Sequence, residues 1–368
     1  MTIETTTRFA IQSIDADAER GGWQATGEFV NQQEDAAYGR RAEIYFTPEG
    51  GGDWDAVAHL GLRGSILPQA TRFNYKTSRT QVTLSTSDAF LQNAGLQGIY
   101  FVSTAVPANP HQIANMNLGK IVQHIIEQHC NVSSTAFIQT STGAYSVNLV
   151  GGWVDTTGID TTASTSVSVY TVRASNSIWQ SLKQIAANEF YVVYMTKFDE
   201  FIYSRHPQFN ALADPIMTLT ASNIIGQPEV TFREPQLIDQ AVLLGLTDAG
   251  AILTAKYPPT VGSDGRIDRS QNNLRCNSQA RLNLLAQRYF DFQNRDYSLR
   301  ISIPGAWGLL AELYDRVLLT YSGTSRNGVG LSFNAEPFFV SGIEVQRVGS
   351  FGAVSTFRLD QQQTDFVY

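Results

Sequence analysis

Charge is scarce in this chain. Of its 368 residues only 16% are Asp, Glu, Lys or Arg, against about 25% in a typical soluble domain. The cores of protein interfaces are depleted of charge, so a surface this sparse implies that neighbours cover much of it. Lysine is scarcer still. Lys76, Lys120, Lys183, Lys197 and Lys256 are the five, which leaves 26 − 5 = 21 arginines. Arginine is favoured over lysine at interfaces, and a GC-rich coding sequence produces the same bias, so composition leaves both readings open. The net charge of −7 argues against general binding to phosphate backbones, which needs a basic footprint.

Cysteine is nearly absent. Cys130 and Cys276 stand far apart with no partner spacing, which excludes a disulfide framework and a zinc motif and leaves free buried thiols as the expectation. Met1 to Ala10 is polar and lacks the apolar centre of a secretion signal. No run approaches the ~18 apolar residues of a membrane span. A chain made and folded in a cytoplasm, without stable membrane insertion, is expected. There is no Gly-x-Ser-x-Gly elbow and no phosphate loop ending in Gly-Lys, and no internal repeat is evident.

What is present is mostly strand pattern. Residues 1–110 read as strands joined by turns: Arg41–Phe46 alternates, Gly50–Gly52 makes a loop tip, Gln81–Ser85 has period two and Gly98–Val102 is apolar. Pro107–Pro110 marks a boundary. Leu118, Ile121, Val122, Ile125 and Ile126 then form one helical stripe behind the potential cap Asn117. Residues 155–168, rich in Thr and Ser, suggest an exposed loop or edge strand. A second helix spans Ser177–Asn188, followed by a hairpin of Phe190–Met195 and Phe201–Tyr203 that His206-Pro207 ends. Residues 216–256 read as β, with Phe232, Leu237, Val242, Leu243 and Leu244 as core candidates. A third helix covers Ser278–Phe290, and Tyr297–Ile303 is a clean alternating strand. Arg316–Tyr321, Glu336–Val348 and Val354–Leu359 complete the pattern. These readings define an α+β, β-rich fold: a first β-barrel domain at 1–110, a helix and hairpin module at 111–215, and a second β-barrel domain at 216–368 with an inserted helix at 278–290.

Candidate chemistry is thin. His124, Glu127, His129 and Cys130 are the densest group of potential ligands, but His124 and His129 lie five apart, about 140° around a helix, where zinc ligands need a shared face. A partly exposed helix end is the simpler account. Asp264 and Asp268 lack the ligand ladder of a calcium loop. Asp199 and Glu200 are adjacent and point to opposite faces of a strand, which suits a solvated hairpin tip better than a paired-acid hydrolase. Asn131-Val132-Ser133 matches a glycosylation acceptor by coincidence. Trp23, Trp54, Trp153, Trp179 and Trp307 are too dispersed for a sugar platform, and helix–sheet packing accounts for Tyr289, Phe290, Phe292 and Tyr297. No catalytic, cofactor-binding or metal residue is expected.

From about residue 170 the order of elements carries a resemblance. Helix Ser177–Asn188, the aromatic hairpin, helix Ser278–Phe290, strand Tyr297–Ile303, Pro304-Gly305 and the segment Leu313-Tyr314-Asp315-Arg316-Val317 come in turn. The chain closes on Phe338-Phe339-Val340-Ser341-Gly342-Ile343 and Ser355-Thr356-Phe357-Arg358-Leu359. This resembles the baseplate hub and late-control-type tail proteins of long-tailed bacteriophages and contractile injection systems, over roughly half of the chain. Their turn usually reads Gly-Asp-x-Val; here the acid and the valine are kept and Tyr314 stands in place of the glycine. The resemblance implies a non-enzymatic homotrimeric ring in the virion, at the distal end of the tail. Each subunit would supply two tube-like barrels, so that three subunits meet a six-fold tube. Its partners would be the tail tube or distal tail protein, a tip or spike protein and the tape-measure protein, with DNA passing through the channel. The negative net charge suits a wall along which DNA slides. Another tail component, such as a distal-tail ring or a receptor- or sugar-binding module, is the alternative, and a clustered aromatic groove would favour it.

Overall fold

The structure is a computed structural model. It describes residues 9–29, 41–45, 60–67, 70–96, 98–109, 111–127, 136–140, 143–147, 156–172, 177–206, 214–232, 238–262, 265–269, 274–294, 297–347 and 352–361. The first six strands are β1 (Phe9–Asp17), β2 (Gly22–Phe29), β3 (Arg41–Tyr45), β4 (Leu60–Ile66), β5 (Arg72–Asn74) and β6 (Arg79–Ser85). Period-two alternation puts Ile14 and Ala16 of β1, Trp23 and Ala25 of β2, and Val82 and Leu84 of β6 into one core. Their neighbours in sequence, including Asp15, Gln24 and Gln81, face the other way and are only partly covered.

The chain then leaves this sheet for a separately cored module. It contains α1 (Asp88–Asn93), β7 (Ile99–Ser103), β8 (Gln112–Ile113), α2 (Leu118–Ile125), the hairpin β9 (Ala136–Thr140) and β10 (Gly143–Val147), and β11 (Val169–Val172). It ends with α3 (Ile178–Ala187) and the hairpin β12 (Tyr191–Met195) and β13 (Phe201–Arg205). Both long helices start where their caps dictate. The Asn117 side chain accepts from the Lys120 N–H, and Ser177 with Gln180 closes a capping box. The stripe Leu118, Ile121, Val122 and Ile125 meets Ile178, Leu182 and Ile185 of α3 and Val193, Met195 and Phe201 of the hairpin. Residues 156–168 are not simply an exposed loop. Ile159, Ser164 and Val167 are buried, because the Asp160 carboxylate accepts from the Thr162 and Ala163 N–H groups and Asn117 donates to the Thr161 carbonyl. Side-chain bonds thus satisfy backbone that no ladder pairs.

Strands β14 (Met217–Thr220) and β15 (Glu229–Phe232) return to the main sheet. A second excursion follows: β16 (Gln240–Leu246), β17 (Ile252–Tyr257), β18 (Ile267–Asp268), β19 (Leu274–Arg275) and α4 (Gln279–Gln293). Its four-stranded sheet packs Ala241, Leu243 and Ala255 against Leu282, Leu285, Ala286 and Tyr289 of the helix. Alternation turns Leu244 to the opposite face, where it is 39% exposed, so it is not a core residue. Phe232 and Leu237 have side chains outside the described residues. The excursion starts and ends at one place, since Phe232 pairs directly with Tyr297.

Strands β20 (Tyr297–Pro304), β21 (Arg316–Thr324), β22 (Gly330–Arg347) and β23 (Ala353–Gln361) complete the chain, with a short 3-10 turn at Trp307–Leu310. The two β-rich regions merge into one 12-stranded sheet of order β15-β20-β23-β22-β1-β2-β6-β4-β3, with β14 and β21 joined beside β22 and β5 beside β6. Among the described residues six strands come from each end of the chain, and the two sets meet at one antiparallel ladder, β1 with β22. The C-terminal set curls back on itself: the β21–β22 turn reaches β15 through Asn327 Nδ2 to the Val230 carbonyl and Arg326 N–H to the Pro228 carbonyl. In the turn that resembles Gly-Asp-x-Val, Tyr314 sits at φ +68°, a backbone that glycine adopts freely. A non-glycine residue there is uncommon and costs energy. Its ring packs at 5.2 Å from Tyr194 and 5.4 Å from His206.

Candidate functional site: a polar sheet face and a buried joint

Two arrangements stand out. The first is the outer face of the main sheet, across β20, β23, β22, β1, β2 and β6. Register aligns Gln24, Asp15, Glu344, Thr356 and Ser302 in one row and Thr83, Thr26, Ser13 and Gln346 in the next. Side chains cross between strands: Ser13 to Thr26 at 2.8 Å, Ser302 to Thr356 at 2.9 Å, Arg300 to Glu344 at 3.0 Å, Arg79 to Glu28 at 3.0 Å and Arg20 to Asp15 at 2.8 Å. Arg358 reaches Asp17 by lying over Gly342, where an added Cβ would stand 2.5 Å from its Nε. Burial alone would lift the Asp17 carboxyl, but the bonds from Arg358 and from the Glu19 and Arg20 N–H groups outweigh it and hold it below the ordinary range. The charges on this face are acids and arginines in near balance, and none of those named is a lysine.

The second arrangement lies on the opposite side of the same strands. The tip of the β12–β13 hairpin, Thr196–Glu200, enters the corner between the two strand sets. Asp199 accepts from the Ser87 N–H at 2.6 Å and the Ser87 hydroxyl at 2.7 Å. The Lys197 carbonyl accepts from the Arg63 N–H at 2.7 Å. On the C-terminal side, Lys197 N–H donates to Glu312 at 3.1 Å and Lys197 Nζ donates to the Leu309 carbonyl at 2.5 Å. Trp23 Nε1 donates to Glu312 Oε2 at 2.9 Å. Asp199 is therefore 3% exposed; it is a buried acceptor and not a solvated tip residue, while Glu200 beside it is exposed. Burial pushes the Glu312 carboxyl up to about 8, more than Lys197 at 4.0 Å pulls it down. Burial likewise lifts Asp88, which accepts from Thr86, to about 6.

The remaining candidates from the sequence fall into packing roles. His124 packs edge-on to Phe101 at 5.5 Å, and Glu127 accepts from Gln123; His129, Cys130 and Asn131–Ser133 lie outside the described residues, as do Asp264, Trp54 and Trp153. Asp268 accepts from the Tyr289 hydroxyl at 2.7 Å. Trp23 and Trp179 are buried, and Trp307 is 56% exposed. Tyr289 and Phe292 line an open cleft of about 350 Å³ with Phe190, Tyr191, His206 and Tyr314, but the rings are mostly turned on each other, as in Phe190–Tyr289 at 5.6 Å and His206–Phe292 at 5.4 Å. Among the described residues no three metal-ligating side chains gather, and no helix is long and apolar enough to cross a membrane.

The sequence matches no family model and no curated protein. The fold does have relatives. A tail protein from Neisseria meningitidis superposes with a TM-score of 0.59 at 12% identity, over 96% of this chain and 97% of that one. The 43 kDa tail protein of prophage MuSo2 from Shewanella oneidensis gives 0.56 at 11% identity, over 96% and 94%. A type VI secretion system component from E. coli, described as structurally similar to T4 bacteriophage tail proteins, gives 0.54 at 8% identity, over all of this chain and 78% of that one. The chain accordingly has, from end to end, the fold of phage tail proteins, a fold also found in a secretion-system component.

Proposed function

We propose that this chain is a structural hub of a phage tail tip or baseplate, a trimeric ring that adapts a six-fold tail tube to a three-fold tip or spike and encloses the ejection channel. The observation that carries this reading is the construction of the main sheet: six strands from each end of the chain, joined at one ladder and sharing one polar face. A subunit with two such halves, repeated three times, offers six comparable docking faces. No subunit then has to adopt two conformations. Ring contacts of this kind are heterologous and close only when the rotation is right.

In this reading the shared polar face is the channel wall. Its acids are already engaged by arginines, so a passing polyanion finds few free cations, whereas an open row of basic side chains would hold phosphate and release counterions. The helix–hairpin module and the β16–α4 unit lie away from that face and meet neighbouring tail proteins. The chain has no catalytic part in this reading. A reconstruction of the particle without imposed symmetry tests it. Three copies, each with two superimposable β halves facing a neutral or acidic lumen, are expected; six copies, or a strongly basic lumen, would refute it.

A further inference from the structure

The two strand sets touch through little backbone. Among the described residues the β1–β22 ladder pairs Ser13–Asp17 with Gln346–Gly342, and the Ala18 N–H adds one bond to the Ser341 carbonyl. A ladder this short is a strip about which two sheets can twist, because strands in a sheet tolerate a wide range of twist. The two sets also share one buried apolar core, and a piece of chain from elsewhere adds a polar bridge across it. The Thr196–Glu200 tip bonds to both sets at once: to Ser87 and Arg63 on the N-terminal side, and to Glu312 and Leu309 on the C-terminal side. Beneath it, Trp23 and Glu312 bridge the sets directly.

The chemistry of the tip differs from that of the hairpin that carries it. Strands β12 and β13 are held by Val193, Met195, Phe201 and Tyr203 in the module's core, and pulling them out would expose apolar surface. The tip is held by Lys197 and Asp199, buried polar residues whose contacts are hydrogen bonds and, for Lys197, the 4.0 Å approach to Glu312. Water can replace such bonds at a modest net cost, so the tip can leave while its strands stay in place. The charged groups that act on it are carboxyls: Asp88 at the start of α1, and Glu312 and Asp315 before β21.

We propose that the Thr196–Glu200 tip is a releasable latch that sets the angle between the two β halves, and that its withdrawal frees the halves to pivot on the β1–β22 ladder. The latch needs no partner and stands apart from the ring reading.

The test uses the full chain with Cys130→Ser and Cys276→Ser, spin labels at Gln81→Cys on β6 and Ser302→Cys on β20, and an excess of unlabelled chain. Electron–electron double resonance should give one narrow distance distribution for this parent. Lys197→Ala with Asp199→Ala should give a broad or two-peaked one, while amide exchange at Arg63 and at position 197, whose bonding atoms the substitutions keep, rises at least about tenfold and the β1–β22 amides stay protected. A narrow distribution in a variant whose tip amides exchange freely overturns the latch. Should the double variant not fold, the parent decides by exchange alone: tip amides that open well before the ladder amides support the latch, and tip amides that open only with global unfolding overturn it.

Discussion

The chain makes two long excursions from its main sheet, and they are attached in different ways. The helix–hairpin module between β6 and β14 sends its hairpin tip into the sheet's own joint, where Lys197 and Asp199 meet both strand sets. The β16–α4 unit between β15 and β20 has a separate core and a separate sheet. It leans on the module from outside, through Arg275 N–H to Asn188 Oδ1 at 3.0 Å, the Ser168 N–H to Asp248 at 2.7 Å, and the Phe190–Tyr289 contact. An excursion that reaches into a joint becomes part of the main body's stability. One that closes on itself, with its ends side by side at Phe232 and Tyr297, does not.

The largest expected effect separates the two directly. Ile185 is 1% exposed in the core shared by α2, α3 and the hairpin, and Leu282 is fully buried beneath α4. An aspartate at either place buries an unpaired charge at a cost of several kcal/mol. Ile185→Asp should remove soluble protein or its cooperative unfolding altogether, because it breaks the core that α2, α3 and the hairpin share. Leu282→Asp should unfold residues 238–294 and leave exchange protection in β1, β2, β22 and β23 intact. Equal damage from both variants, read by hydrogen exchange with mass spectrometry, would erase the distinction.

A smaller effect should appear with pH. The Glu312 carboxyl titrates at about 8 in the fold against an ordinary value of 4.5, so the folded state holds its proton more tightly than the unfolded chain does. The stabilisation tied to that proton is complete below pH 4.5 and is lost as pH rises through 8. Asp88, at about 6 against 3.8, acts in the same direction over a lower window. Stability should therefore fall on going from pH 5 to pH 9, by on the order of a few kcal/mol. Glu312→Gln keeps an acceptor for Trp23 and Lys197 and should flatten most of that slope. Urea midpoints at several pH values check this, and an unchanged slope in Glu312→Gln would show that the joint is not its source.

How much of this was legible beforehand depends on distance along the chain. Asn117 and Ser177 announced their helices, since a cap and its stripe lie within a dozen residues, and the aromatic hairpin and the strand at 297–303 declared themselves by alternation. Asp199 did not, because hairpin tips are solvated unless something distant covers them, and here the cover is Ser87. The Trp23–Glu312 bond spans 289 positions, and neither residue carries a local sign of the other. The merging of two β-rich regions into one sheet was equally hidden: the β1 pattern fits a half-buried strand with any neighbour. The tyrosine in place of the glycine of the Gly-Asp-x-Val turn it resembles looked like a departure in the sequence, yet the backbone at Tyr314 has the conformation that a glycine there would serve.

The smallest expected effect lies on the polar face and marks the limit of what its ion pairs hold. Arg358 crosses Gly342 to meet Asp17 across three strands, with side chains 48% and 28% exposed. Pairs this open contribute about 0–1 kcal/mol, so Gly342→Ala, which pushes the guanidinium aside, should lower stability by no more than about 1 kcal/mol. Arg358→Gln should do the same, and salt should shrink both differences. If the face is a channel wall, its pairs matter for what they leave unoccupied and not for what they hold together. Gly342→Ala would then free an arginine into the lumen while the fold stays as it was. A particle carrying it should assemble normally and release DNA more slowly at low ionic strength, with the deficit disappearing in high salt. A large loss of stability instead, measured by urea unfolding of the isolated chain, would make Arg358 a structural strut of the β1–β22 ladder.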